Sequence, residues 1–250
     1  MTVLEMLKND PDNPNLYREA GEALLKEDRV DEAIALFSKG LILNPFDAAM
    51  RYRRGRKYIG RKDYGVAASD LKLAAMLDPE NWRNWYYQGV ACYLGGMFEL
   101  ARIAQERCLT LIKKHDPKSI PASVDWNWMI LMRLGRRDEA QAVLDNVYPG
   151  MEAEDGDYLA RTLLYKGYYS PDNFVEDRMK EIQNADRARS YELMLSYGLA
   201  NWLHYQGKDE QAVPLLKKLA ESPDNRNLFA VSQASQDLTA LGVPFNDPTR

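Results

Sequence analysis

Apolar and small residues in this chain return at one long, fixed interval, and within each interval they follow helical spacing instead of the alternation of a strand. Gly21, Gly55 and Gly89 stand 34 residues apart, as do Ala33, Ala67 and Ala101. Pro45 and Pro79 keep the same step, in Leu43-Asn44-Pro45 and Leu77-Asp78-Pro79. A unit with a small residue in each half and a proline at its end predicts two helices joined by a turn. Glycine and alanine lack bulk, so the helices of a pair approach closely while Tyr17, Phe37, Tyr58 and Leu71 fill the grooves beside them.

This punctuation resembles the tetratricopeptide repeat, a helix-turn-helix unit. The landmarks fall on Tyr17, Gly21, Leu24, Ala33, Phe37, Gly40 and Pro45 in a first unit, and on Gly55, Tyr58, Tyr64, Ala67, Leu71, Ala74 and Pro79 in a second. Trp85, Gly89, Phe98 and Ala101 mark a third. The resemblance implies an all-α fold, a right-handed α-solenoid of helix pairs with a capping helix at each end, as one domain over residues 1–250. Its divisions are an N-terminal cap (1–13), repeats at 14–47, 48–81, 82–120 and 121–154, a degenerate repeat at 155–192, a sixth at 193–224, and a C-terminal cap helix with a tail at 225–250.

Departures from the period carry information too. Ala101 and Ala140 are separated by 39 residues, and Lys113-Lys114-His115-Asp116-Pro117 with Pro121 occupies the gap. A lengthened second helix followed by a loop accounts for the excess. Trp128 then stands where the family has glycine, so close approach fails and a change in superhelical path is expected around residues 113–128. From Ala140 to Ala212 is 72 residues, two steps of 36. The degenerate unit between them has a first helix predicted over Tyr158 to Tyr168 and a second starting at Ser170-Pro171, where serine can cap and proline suits the first position. Thr2 and Glu5 read as a capping box ahead of Met6 and Leu7. Leu228, Val231, Leu238 and Leu241 share helical spacing up to Gly242 and predict a solvated cap after Ser222-Pro223-Asp224. Residues from Tyr158 to Gly242 are also similar to the NlpI-type bacterial lipoproteins, repeat adaptors that dock cell-wall hydrolases, although the lipidation cysteine of that group is absent.

Charge and chemistry narrow the function. A net charge of −4 argues against wholesale attraction to nucleic acid or anionic lipid. The N-terminal stretch has neither a basic region nor a sustained apolar one, and no later run approaches about 18 apolar residues. With two cysteines, Cys92 and Cys108, and no export or membrane signal, the expected setting is the cytoplasm of a bacterium. His115 and His204 are far apart, and no Cys-x-x-Cys, His-Glu-x-x-His or Gly-x-Ser-x-Gly string occurs. No catalytic residue, metal or cofactor is therefore expected; His115 complements a helix end, and His204 falls on the inner face.

By the family's register the inner surface is lined from the first helix of each pair. The resemblance places Arg18, Glu22, Tyr52, Arg53, Arg56, Arg83, Tyr86, Tyr87, Tyr93, Asp125 and Trp126 there, with Met129, Met132 and Arg133 beside them. Tyrosine, arginine and tryptophan in one lining match binding hot spots, because rigid rings bury area at low entropy cost and a guanidinium forks a carboxylate. The expected function is a non-catalytic adaptor holding an extended or helical peptide with acidic and apolar anchors, as monomer or homodimer. Arg18 and Glu22 stand where the chaperone-tail subclass carries its lysine and asparagine, and Glu22 would repel a terminal carboxylate. An alternative is RNA binding by Arg51, Arg53, Arg54, Arg56, Lys57, Arg61 and Lys62, interleaved with Tyr52 and Tyr58. Their winding around one helix favours inter-repeat pairing with Glu19, Glu22, Asp31 and Glu32. A third reading is an enzyme with its site near Trp126, Trp128 and His115.

Overall fold

The structure is a computed structural model that describes residues 2–182, 185–222 and 228–246. Among these residues every regular element is helical. The contacts fall into two units, Met1–Leu111 and Ile112–Arg250.

The first unit opens with α1 (Val3–Asn9), started by the expected capping box: Thr2 N donates to Glu5 Oε2 at 2.7 Å and Glu5 N to Thr2 Oγ1 at 3.2 Å. Three pairs follow: α2 (Pro14–Lys26) with α3 (Val30–Leu43), α4 (Ala48–Gly60) with α5 (Tyr64–Leu77), and α6 (Trp82–Leu94) with α7 (Phe98–His115). Asn13, Asp47 and Asn81, again 34 apart, cap the three first helices by accepting from backbone N–H groups two or three residues on. The turn inside each pair needs one residue at positive φ, supplied at the same step by Asp28 (58°), Lys62 (63°) and Gly96 (74°). The close approach is equally periodic. A Cβ on Gly21, Gly55 or Gly89 would lie 2.5, 2.8 or 2.6 Å from the side chains of Phe37, Leu71 and Gln105 respectively. Gln105 is wholly buried where the other pairs place an apolar side chain, and its Nε2 donates to Tyr86 O at 3.0 Å. The lengthened second helix is α7, with 18 residues against 14 in α3 and α5.

The second unit contains α8 (Ile120–Arg133), α9 (Arg137–Val143), α10 (Gly156–Tyr165), α11 (Phe174–Met179), α12 (Ala185–Tyr205), α13 (Asp209–Ala220) and α14 (Phe229–Ala240). Trp128, in place of a glycine, is accommodated by stacking on Tyr165 at 3.9 Å between centroids and meeting the edge of Tyr205 at 5.6 Å. The expected helix start at Ser170-Pro171 is corrected: Ser170 Oγ accepts from Asp172 N at 3.4 Å in a turn, and α11 begins at Phe174, the residue buried against Ala160, Leu164 and Leu195. A serine hydroxyl satisfies a local turn as readily as a helix end. The C-terminal helix buries Val231 and Leu238, as their spacing predicts, together with Ala230, Gln233, Ala234 and Asp237, while Thr239 and Ala240 are exposed. The predicted turn at Pro223-Asp224 and the last residues of the tail lie outside the described residues.

Candidate functional site

In the first unit, the first helices bring part of the expected lining together. Tyr52 on α4 and Tyr87 on α6 meet edge-on at 5.8 Å, and Tyr86 meets Tyr87 at 5.1 Å. The Arg56 guanidinium, exposed to solvent, lies 4.4 Å from the centroid of Tyr87 and 5.6 Å from that of Tyr52. Arg83, also exposed, lies over Trp82 at 4.3 Å. Cations over ring faces are held without losing their outward hydrogen-bonding capacity. Arg18 pairs with Asp47 at 2.9 Å, so the carboxylate that caps α4 also ties the first repeat to the second. Glu22 pairs with Arg53. The feature expected to repel a carboxylate is thus itself neutralised by a neighbour.

Other expected lining residues are not open. Tyr86 and Tyr93 are buried at 8% and 3% exposure, Tyr93 edge-on to Phe98 at 5.5 Å. They belong to the packing between helices, because the inner register also faces the partner helix of each pair. In the second unit Asp125 and Trp126 are buried at 0% and 1%. Asp125 is covered by Arg161 of α10, 2.8 Å away, and Trp126 by Phe229 of α14, with centroids 5.7 Å apart.

The basic cluster of α4 is largely spent on the fold. Arg54 reaches both oxygens of Asp70, at 2.7 and 2.8 Å, and also bonds Ser38 Oγ; Arg51 reaches the same carboxylate at 3.2 Å. Arg61 pairs with Asp31 at 2.7 Å, as expected of inter-repeat pairing. Asp70, buried at 4%, was missed in the sequence. The signal lay in the register: one step away its position holds Leu36 and Ala104, so a carboxylate there is out of place unless cations reach it.

A second polar cluster was also missed. Arg161, inside an apolar run, is 1% exposed, its guanidinium over the faces of Tyr158 (5.4 Å) and Tyr197 (5.5 Å). Gly198 makes room for it, since a Cβ there would lie 2.4 Å from Arg161 Cγ. Burial pushes the Asp125 carboxyl up to about 7, against the pull of Arg161, and Asp157 up to about 6.

His204, half-buried, places its Nδ1 2.6 Å from Asp209 Oδ1 at the start of α13. Cys92 and Cys108 are buried free thiols, and burial pushes Cys92 up to about 11, far from a reactive thiolate. Among the described residues no group of three or more His, Cys, Asp or Glu side chains could hold a metal ion, and no helix is long and apolar enough to cross a membrane.

Comparison with known proteins agrees with the repeats. The tetratricopeptide-repeat family model matches residues 4–48 and 52–113. Human RNA polymerase II-associated protein 3 is 27% identical over 134 residues, and its rat counterpart 24% over 198. These matches take in 54% and 79% of this chain but only 18% and 26% of the relatives, so the chain spans about a quarter of their length or less. Among solved structures, YrrB, described as a tetratricopeptide-repeat protein with an unusual peptide-binding site, aligns over 95% of this chain and 99% of its own, with a TM-score of 0.55 and 15% identity. MamA aligns over 67% of this chain and 88% of its own, with a TM-score of 0.53 and 19% identity. At such identities the likeness concerns the fold. With helix pairs, turns and glycine contacts all keeping one 34-residue step, and with residues 4–48 and 52–113 matching the family, these residues are tetratricopeptide repeats.

Proposed function

We propose that this chain is a non-catalytic interaction module whose first unit binds a peptide through the surface of Tyr52, Arg56, Arg83 and Tyr87. The observation that carries this reading is Arg56: an exposed guanidinium, oriented by two tyrosine faces. Such a group presents a fork to a carboxylate beside an apolar shelf, so the ligand class is a peptide with an acidic residue next to an aromatic or aliphatic one. The peptide-binding site named for YrrB supports the reading by analogy of fold. The RNA alternative loses its main support, because Arg51, Arg53, Arg54 and Arg61 are engaged with carboxylates of the chain itself.

The test is selection from a displayed random-peptide library, followed by titration of the best binder against Arg56→Glu and Tyr87→Ala. Binders rich in Asp or Glu beside apolar residues are expected, with affinity reduced at least about tenfold in each variant. Equal binding by folded variants would move the site elsewhere. A labelled single-stranded RNA that binds more tightly than the peptides, with a steep loss on adding salt, would favour the nucleic-acid reading.

A further inference from the structure

The first turn of α10 opens onto a pocket of about 370 Å³, a volume of the order found for small-ligand sites. Asp155, Gly156 and Asp157 form one wall, Glu181 and Ile182 in the turn after α11 a second, and Arg187 and Tyr191 of α12 a third. Gly156 puts no side chain into the space; a Cβ there would come within 3.5 Å of Tyr191 Oη. Carboxylates outnumber guanidinium groups in the lining, three to one. Two of the three are matched already, since Asp155 Oδ1 accepts from Arg187 Nη2 at 3.1 Å and Glu181 Oε1 lies 2.8 Å from Arg178 Nη1. Asp157 is the exception. It is 8% exposed, and among the described residues its Oδ2 has no hydrogen-bond partner. A buried acceptor left unmet costs free energy until a donor reaches it.

We propose that this pocket takes a primary ammonium on a short apolar stem, the group carried by a lysine side chain of a partner or by a free alkylamine. The ammonium donates to Asp157 Oδ2, Glu181 adds negative potential at the rim, and Ile182 with the Tyr191 ring offers apolar surface to the stem. A neutral donor fits the same space but gains one ordinary hydrogen bond. A cation gains a charge-assisted one, in a lining where negative groups prevail, and an anion is disfavoured by that lining. Protons compete for the same oxygen. Burial pushes the Asp157 carboxyl up to about 6, with Arg161 pulling it down, Asp155 pushing it up and Arg187 pulling it down. On the other elements packed against α10, Asp125 of α8 pairs with Arg161, Asp145 after α9 lies 3.8 Å from Lys166, and Tyr191, pushed up to about 12, keeps its proton. Ammonium binding therefore displaces a proton at acid pH, and affinity falls as pH drops through the Asp157 value.

This pocket and the surface around Arg56 belong to different units, so failure of either leaves the other standing. The test follows the Gly156 amide and Ile182 methyl resonances of the full chain by NMR. n-Pentylamine is expected to shift both to saturation, and n-pentanol, with the same stem, to bind at least about tenfold more weakly. Amine affinity at pH 5 should be about tenfold below that at pH 7.5, as when a proton held to about pH 6 competes. Asp157→Asn should lose both the preference for the amine and its pH dependence. The source is read from Nα-acetyl-lysine N-methylamide: binding equal to that of pentylamine supports a lysine side chain of a partner, and binding at least about tenfold weaker supports a free alkylamine. Resonances that do not move, equal binding of pentanol and pentylamine, or amine affinity unchanged between the two pH values each overturns the proposal. These three comparisons are made on wild type and stand whether or not the Asn variant folds.

Discussion

Gly55→Ala and Gly60→Ala make the same chemical change on the same helix, α4, yet the structure requires different outcomes. At Gly60 a new Cβ has nothing within 4 Å. The substitution there gains only helix propensity, up to about 1 kcal/mol of stabilisation, reduced by its place in the last turn. At Gly55 the Cβ would lie 2.8 Å from Leu71 Cγ and 3.3 Å from the backbone oxygen of Ala67. Leu71 and Ala67 are both fully buried, so neither can swing into solvent. Forcing one methyl into this contact costs about 1–3 kcal/mol, which cancels or exceeds the propensity gain. The two variants should therefore differ by about 1–3 kcal/mol, with Gly55→Ala the less stable. Urea denaturation followed by circular dichroism reads this as a lower midpoint at unchanged slope. If Gly55→Ala proves as stable as Gly60→Ala, the close approach of α4 and α5 is not what the glycine period encodes.

Further outcomes follow from the turn, the buried carboxylates and the arginine pair. Lys62→Gly should stabilise the chain by about 0.5–1 kcal/mol, because a lysine at φ 63° pays a left-handed penalty that glycine avoids, and thermal unfolding measures it. Asp70→Ala should destabilise by about 2–4 kcal/mol in chemical denaturation, since Arg51 and Arg54, with 15% and 18% of their side chains exposed, lose their shared carboxylate. Asp157 keeps its proton to about pH 6 in the fold because burial disfavours the charge, whereas the unfolded carboxyl releases it near 3.8. Its contribution to stability is full below the lower value and is lost as pH rises through the higher one, at a slope of about 1.4 kcal/mol per pH unit between them. Asp157→Asn should reduce the slope across that window, leaving the part that Asp125 contributes, and an unchanged slope would show that the Asp157 carboxyl titrates normally in the fold.

Helix pairs and their boundaries in the first unit were legible because each signal acts locally and repeats. A proline closes the unit, a small residue lets the partner helix approach, and a turn residue reverses the chain, all within one 34-residue step. The N-caps at Asn13, Asp47 and Asn81 obey the same step and were available to the eye. The candidate lining was only half legible: Arg56 and Tyr87 lie where the register puts them, but Tyr86 and Tyr93 share that register and are buried. Register names a face of a helix without saying how far a neighbour covers it. The second unit shows the limit more sharply, since Arg161 covers Asp125 from 36 residues away and Arg133 meets Asp237 across 104. Periodic constraints between near neighbours in sequence thus determined the repeat and its helices. Which carboxylate meets which arginine, and which ring covers Trp126, depends on groups that only folding brings together, so the tertiary structure alone decided them.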